Sequence, residues 1–458
     1  MQAPLVPSNA RDRLWNVVRC AALSRVIVLL LGIASNTAIN DYDSSASLVL
    51  PAEHSVVQRA TRRLAQTTLH WDAFYFTHIA GSGYVYEQEH AFFPLLPLLM
   101  RLLAHTVFVP LEAWIGRQLA LVLAGIVISN VSFVLAAATL YKLGCTTLRS
   151  ERLAYTAALL YALAPSGMFM SAVYTESLFA WLVFTALLHV ARRRYMWAAL
   201  WLCASTLCRS NGIIYAGFFW WNLVVWPNTQ QPSGSTANNQ QKTVHSRILL
   251  TVLRITHATA LTAVAALGFV AFQMYGYHTL CQQPLHPQDT NARPYCSGAA
   301  TVYSFVQEHY WDIGFLRYYT VNQIPNFVLA APMAVLSVAG LWTYTTWDPL
   351  RIVTLGMQRR TEVQNSTRQA LLRSAYFGDG LLPHMYLWAL LLAVAVTTMH
   401  VQMVARFFSS VPAVFWFAAH VVVGDKQRQK YWRRMVVGYF AGYGLAGVVL
   451  FSNFFPPA

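Results

Sequence analysis

The chain has 458 residues, of which 56% are hydrophobic and only 11% charged, and its mean hydropathy is +0.42. A soluble domain carries about a quarter charged residues, so most of this surface faces something other than water. The net charge of +15 sits in short basic clusters beside apolar runs, which is the positive-inside pattern of a membrane protein and argues against a nucleic-acid partner.

Holding the basic loops in the cytosol threads the chain as follows. Residues 18–39 form a first outward span and read as a signal anchor, because no small-residue cleavage site follows a basic, polar start. Residues 40–118 form an outer or membrane-skimming segment, and 119–143 return. Residues 153–172 and 174–191 make a hairpin with Tyr174-Thr-Glu176 at its tip. The run 195–226 is too long for one comfortable helix and breaks at Arg209-Ser-Asn-Gly212, giving a second hairpin with that break at its outer tip. Residues 228–247, rich in Gln, Asn, Ser and Pro at their start, make a cytosolic loop. Span 248–275 leads to a second outer segment, 276–323, and 325–346 return to a basic cytosolic loop, 347–383. That placement leaves the Asn365-Ser-Thr367 sequon unused. Spans 384–404, 407–423 and 434–452 complete an all-α polytopic domain over 1–458, with about eleven spans. No internal repeat is apparent, which counts against inverted-repeat transporters.

Cys281 and Cys296 share one polar, Pro-rich outer loop; a disulfide fits if that loop is oxidised, with two free thiols as the alternative. Cys20, Cys145, Cys203 and Cys208 read as small core residues.

The threading gathers most acids on the outer side, among them Asp72, Glu87, Glu89, Glu176, Glu308 and Asp312; Asp41, Asp43, Glu53, Glu112 and Asp289 join them. Asp12, Glu151, Asp348, Glu362, Asp379 and Asp425 fall inside. From His70 to Pro97 aromatics, carboxylates and histidines alternate. Aromatic faces stack on sugar C–H surfaces and carboxylates accept hydroxyl hydrogen bonds; an interfacial aromatic belt is the plainer alternative. Asp72, between Trp71 and Phe74, is expected to be partly desolvated, which raises a carboxylate pKa and suits a general base. Arg209 between two apolar half-spans is costly unless paired or wet, and with Ser210, Asn211 and Gly212 it offers a donor cluster for phosphate. Glu176 can pair with Arg209 or bind a sugar hydroxyl, and a structural salt bridge is the role expected of it. Arg317 is a second candidate phosphate donor, and Gln402 and Arg406 fall one turn apart on a helical face that His400 does not share. There is no zinc-like spacing, HExxH, GxGxxG or P-loop, and Asp41-Tyr-Asp43 is a weak DxD pair.

Five separated segments, in order, resemble the PIG-V family. They are Trp71-Asp72 through Ala91-Phe-Phe-Pro94, Tyr174-Thr-Glu176-Ser-Leu-Phe179, Arg209-Ser-Asn-Gly212, Gly314-Phe-Leu-Arg317 with Gln323-Ile-Pro-Asn326-Phe327, and Met399-His-Val-Gln402 with Arg406-Phe407. The family's Asn-Pro-Ala before its second motif reads Ala164-Pro165-Ser166 here, and that motif's first Ser is Thr175.

The resemblance implies a GT-C-type helical bundle in the endoplasmic reticulum with its active site in lumenal loops. It implies a mannosyltransferase that uses dolichyl phosphate mannose to add the second, α-1,6-linked mannose to the glycosylphosphatidylinositol (GPI) precursor. Donor and acceptor are then both lipid-linked, a small membrane accessory subunit is an expected partner, and no cofactor or metal is expected. Asp72 is the candidate base, with Glu87 and Glu89 as alternatives. Trp71, Glu176, Arg209, Asn211, Arg317, Gln323, Asn326, His400, Gln402 and Arg406 are the candidate substrate- and phosphate-binding residues. Another dolichyl-phosphate-sugar-dependent glycosyltransferase and a multi-span lipid or solute transporter are the competing readings.

Overall fold

The computed structural model describes residues 8–39, 41–42, 50, 55–229, 240–282, 293–357, 375–424 and 430–455. Asp43, Glu53, Asp289, Glu362, Asp425, the Asn365 sequon and most of the central part of the 347–383 loop lie outside them.

Every regular element among the described residues is helical. In chain order they begin with α1 (Ser8–Ala38), α2 (Val56–Thr68), α3 (Asp72–Ser82), α4 (Leu95–Thr106), α5 (Val109–Ile115) and α6 (Arg117–Leu148). The middle of the chain gives α7 (Glu151–Ala162), α8 (Glu176–Ala191), α9 (Tyr195–Thr206) and α10 (Gln240–Tyr277). Then come α11 (Val302–Trp311), α12 (Ile324–Trp347), α13 (Leu382–Thr397), α14 (Pro412–Val423) and α15 (Lys430–Gly438), which runs on through a π turn into α16 (Gly444–Ser452).

Among the described residues six helices are long and apolar enough to cross a membrane, and up to eight if the bent pairs α4–α5 (88°) and Val401–Ser410 with α14 (86°) each count as one. This makes the chain a multi-pass membrane protein. That count takes only the long apolar helices; the runs 153–172 and 195–226 hold shorter helices interrupted by 3-10 turns at Gly167–Met170 and Ser210–Ala216, and 174–191 holds the 16-residue α8. Large apolar side chains point outward on the long helices, for instance Leu249 at 60%, Val328 at 66% and Trp342 at 69% exposed, as expected of surfaces that face lipid.

The core forms where α6 packs along α7 and α8, α9 packs between α8 and α10, and α14 lies on α7. Ser150 caps α7 by accepting the Leu153 N–H, and Arg149 in the left-handed region turns the chain between α6 and α7. A Cβ on Gly144 of α6 would meet the Ala154 Cβ at 2.8 Å, so the absence of a side chain sets how closely α6 and α7 approach. Ion pairs join Arg13 to Glu151 (3.3 Å), Arg351 to Asp379 (3.4 Å), Asp72 to Arg406 (3.0 Å) and Glu87 to Arg293 (2.9 Å).

Candidate active site

Two carboxylates stand at helix starts, where the backbone N–H groups and the helix dipole favour negative charge. Asp72 is the first residue of α3 and Glu176 the first of α8. Between them lies the Arg406 guanidinium. Its Nη2 is 3.0 Å from Asp72 Oδ2 and 2.7 Å from Glu176 Oε1, and its Nε donates to the same Glu176 oxygen at 2.8 Å. Arg209 Nη1 reaches that oxygen from the other side at 3.0 Å and donates to Thr175 Oγ1 at 3.3 Å. The result is a chain of alternating charge, Asp72–Arg406–Glu176–Arg209. Glu176 and Arg406 are buried, whereas the Asp72 side chain is 29% and the Arg209 side chain 19% exposed. A buried ion pair survives only with compensating bonds, and here the two arginines and two acids balance.

Aromatic rings complete the seat. Arg406 lies over the Phe169 ring at 4.2 Å and the Tyr174 ring at 4.8 Å. The Tyr174 hydroxyl accepts the Asp72 backbone N–H at 3.2 Å and donates to the His70 carbonyl at 2.9 Å, tying the α3 start to the α8 start. Trp71, immediately before the acid, has φ 47° and ψ −113°, a costly backbone for a bulky residue. Its indole is held against Phe451 and Phe454, both at 5.1 Å, so the C-terminal end of the chain braces the turn that aims Asp72. Asp72 is therefore ion-paired, and with its side chain 29% exposed it is partly withdrawn from water beside these aromatic rings.

The Arg209 turn folds tightly back on α9. A Cβ on Gly212 would meet Ser205 Oγ at 2.6 Å and the Ser205 carbonyl carbon at 2.9 Å, so glycine is required there. Ser210 donates to the Tyr303 hydroxyl at 2.9 Å, and the buried Asn211 Nδ2 has no hydrogen-bond partner among the described residues. With Nη1 alone engaged, Arg209 keeps its remaining N–H donors.

The other candidates are placed apart from this chain of charges. Glu87 accepts from Tyr310 at 2.7 Å, pairs with Arg293 at 2.9 Å and takes a short hydrogen bond from Tyr295, pinning the second outer segment onto the first. That segment is closed by a Cys281–Cys296 disulfide, the first of the two alternatives for those cysteines. Glu89 is buried, accepts the Val85 and Tyr86 N–H groups at 2.7 and 2.9 Å, and makes a short contact with His78. Arg317 is turned to Glu308 at 2.6 Å and Asp312 at 3.5 Å, on the exposed surface. Gln402 and Arg406 do not share a helical face: residues Val401–Met403 form a 3-10 turn before the helix Val404–Phe407, and Gln402 bonds Tyr318 instead. His400 donates to the Trp311 carbonyl at 2.8 Å, and Asn326 bridges Gln323 at 2.6 Å and Tyr318 at 2.8 Å. Tyr174 and Phe169 carry no charge and are not marked as site residues by the sequence, although Tyr174 stands within the second motif. Among the described residues no group of three His, Cys, Asp or Glu side chains converges as metal ligands would.

Residues 14–458 match a family model described as Mannosyltransferase (PIG-V). The chain belongs to the PIG-V mannosyltransferase family. Its relatives in the family include GPI alpha-1,6-mannosyltransferase 2 of Cricetulus griseus, 31% identical over 96% of this chain and 98% of the relative. The Homo sapiens protein of the same name is 30% identical over 96% and 98%, and GPI mannosyltransferase 2 of Gibberella zeae is 31% identical over 94% of each chain. Among solved structures, an archaeal oligosaccharyltransferase of Archaeoglobus fulgidus is similar at a TM-score of 0.47 and 12% identity, over 94% of this chain and 56% of that one. Within the PIG-V family frame, four of the five motifs supply the charged chain and its aromatic seat: Trp71-Asp72, Tyr174-Thr-Glu176, Arg209 and Arg406.

Proposed function

We propose that this PIG-V family mannosyltransferase adds the second mannose of GPI-anchor assembly. Mannose passes from dolichyl phosphate mannose to the 6-hydroxyl of the mannose already on the lipid-linked glucosaminyl inositol. The reaction runs on the lumenal side of the endoplasmic reticulum membrane, in a GT-C-type bundle of about eleven passes. A small membrane subunit assists it. Family membership and the names of its relatives support the reaction. The observation that carries the mechanism is the Asp72–Arg406–Glu176–Arg209 chain, a proton acceptor and spare guanidinium donors held at one end of the bundle.

The donor is a β-linked sugar phosphate and the product is α, so one displacement inverts the anomeric carbon. The acceptor oxygen forms its bond to that carbon as the carbon–phosphate oxygen bond breaks. The hydroxyl proton goes to Asp72, and the bonding pair leaves with the dolichyl phosphate. General-base help of this kind contributes about 10²–10⁴-fold. Arg209, with Asn211 two residues on in the same turn, receives the charge that builds on the phosphate. Protonating Asp72 also releases Arg406 from its partner at the moment negative charge grows nearby. Because arginines supply the neutralisation, the reaction needs no metal.

Lipid extracts of cells lacking the chain test the assignment. A GPI precursor carrying a single mannose should accumulate and disappear on re-expression. Full-length precursor in the deficient cells would contradict it.

A further inference from the structure

Beside the charged chain lies a neutral one. Tyr318 donates to Gln402 Oε1 in a short hydrogen bond, accepts from Asn326 Nδ2 at 2.8 Å and stacks on His400 at 4.6 Å between ring centroids. His400 in turn holds the Trp311 carbonyl at 2.8 Å. The Trp311 ring stands edge-on to Tyr75 at 6.2 Å, and Tyr75 stacks on Phe92 at 4.4 Å. Tyr75 is one helical turn after Asp72 on α3, on the same face. Met403, next to Gln402, accepts a hydrogen bond from Arg406 Nη1 at 3.2 Å. The contacts therefore run in a circuit that leaves Asp72 along α3 and returns to it through Arg406.

The circuit has no free cation, because Arg317, the arginine of that segment, is engaged by Glu308 and Asp312. Its unused groups are mixed in sense. Gln402 Nε2, Gln323 Nε2 and Trp311 Nε1 are donors, Asn326 Oδ1 is an acceptor, and the Tyr75 hydroxyl is both; none has a hydrogen-bond partner among the described residues. All five side chains are partly exposed. Burial, then the charges of Asp72 and Glu89, push the Tyr75 phenol up from its ordinary value, so it stays a donor. A phosphate calls for cations, whereas sugar hydroxyls call for both donors and acceptors, with an aromatic face for the ring C–H surface.

We infer that Tyr75, Trp311, Gln323, Asn326 and Gln402 form the subsite for a neutral hexose of the acceptor glycolipid. The inference rests on the reaction proposed above. It assigns the sugar to the acceptor because the circuit adjoins Asp72, the proton acceptor, while Arg209 lies at the far end of the charged chain. The donor phosphate and the acceptor sugar then approach from opposite ends of Arg406 and Glu176.

Steady-state mannose transfer by the full-length chain in native membranes tests this, with dolichyl phosphate mannose and the one-mannose GPI precursor varied separately. Gln402→Ala and Trp311→Ala should each raise the acceptor KM about tenfold or more and leave the donor KM within about twofold. Gln402→Asn and Trp311→Phe, which keep an amide and a ring, should fall between these and the parent, and they serve where the alanine variants do not fold. An unchanged acceptor KM in all variants, or a rise in the donor KM instead, would overturn the subsite while leaving the reaction standing. Failure of the parent chain to use the one-mannose acceptor would overturn the reaction and the subsite with it.

Discussion

Asp72 and Arg406, 334 residues apart in the chain, meet at 3.0 Å, and the same guanidinium holds Glu176. One buried cation thus joins the start of α3 to the start of α8. The cation comes from the break before α14. Removing any one charge leaves the others uncompensated in a poorly hydrated place, and this asymmetry governs the first expectation.

Glu176→Gln keeps the shape and removes the anion shared by Arg406 and Arg209. The loss of one partner from a buried ion pair costs about 3–5 kcal/mol. The melting temperature of the detergent-purified chain should fall clearly, along with its activity. A variant that melts like the parent would show that Glu176 does not hold the two arginines together.

Arg209→Ala acts on the leaving group in this scheme. The donor KM should rise about tenfold or more, since hydrogen bonds to a charged group are the stronger kind, with the acceptor KM little changed. Equal weakening of both substrates, read from initial rates, would count against a phosphate role.

Glu87 and Arg317 bear on architecture. Glu87→Gln weakens the clamp made by Tyr295, Tyr310 and Arg293, so limited proteolysis of the purified chain should cut within 293–311 faster than in the parent. Arg317→Ala breaks only exposed pairs, and both stability and transfer rate should stay within about twofold of the parent. A large loss of transfer in Arg317→Ala would restore it as a phosphate ligand.

The disulfide closes a loop with a sequence separation of 15. Cys281→Ser should cost about 3 kcal/mol by the loop-entropy relation, measured as a lower unfolding temperature of the purified chain. An unchanged temperature would show that the Glu87 clamp alone holds the segment.

Much of this arrangement is legible in the sequence, and the parts that are not have physical reasons. Apolar runs and basic clusters mark the long helices, and Arg209 is visible because a charge between apolar half-spans is expensive. Glu176 pairs with Arg209, one of the two partners its residue type and place suggest. Asp72 could be singled out by residue type and neighbours, but its ion pair with Arg406 spans most of the chain, and no local spacing reports such a contact. Glu89 looks equivalent to Asp72 in a string of letters; its difference lies in the Val85 and Tyr86 amides that occupy it. Gln402 and Arg406 look like one helical face because a four-residue spacing says so, and the 3-10 turn at Val401–Met403 redirects them. Uncharged Tyr174 and Phe169 leave no electrostatic trace in the sequence, though they seat the central cation.

The most direct test is the transfer rate of the full-length Asp72→Asn chain, purified beside the parent and assayed with saturating donor and one-mannose acceptor. Asparagine keeps the size and the hydrogen-bonding oxygen but cannot take the hydroxyl proton. The predicted result is a kcat lower by about a hundredfold or more, with the donor KM near that of the parent. A kcat within about tenfold of the parent would contradict Asp72 as the base.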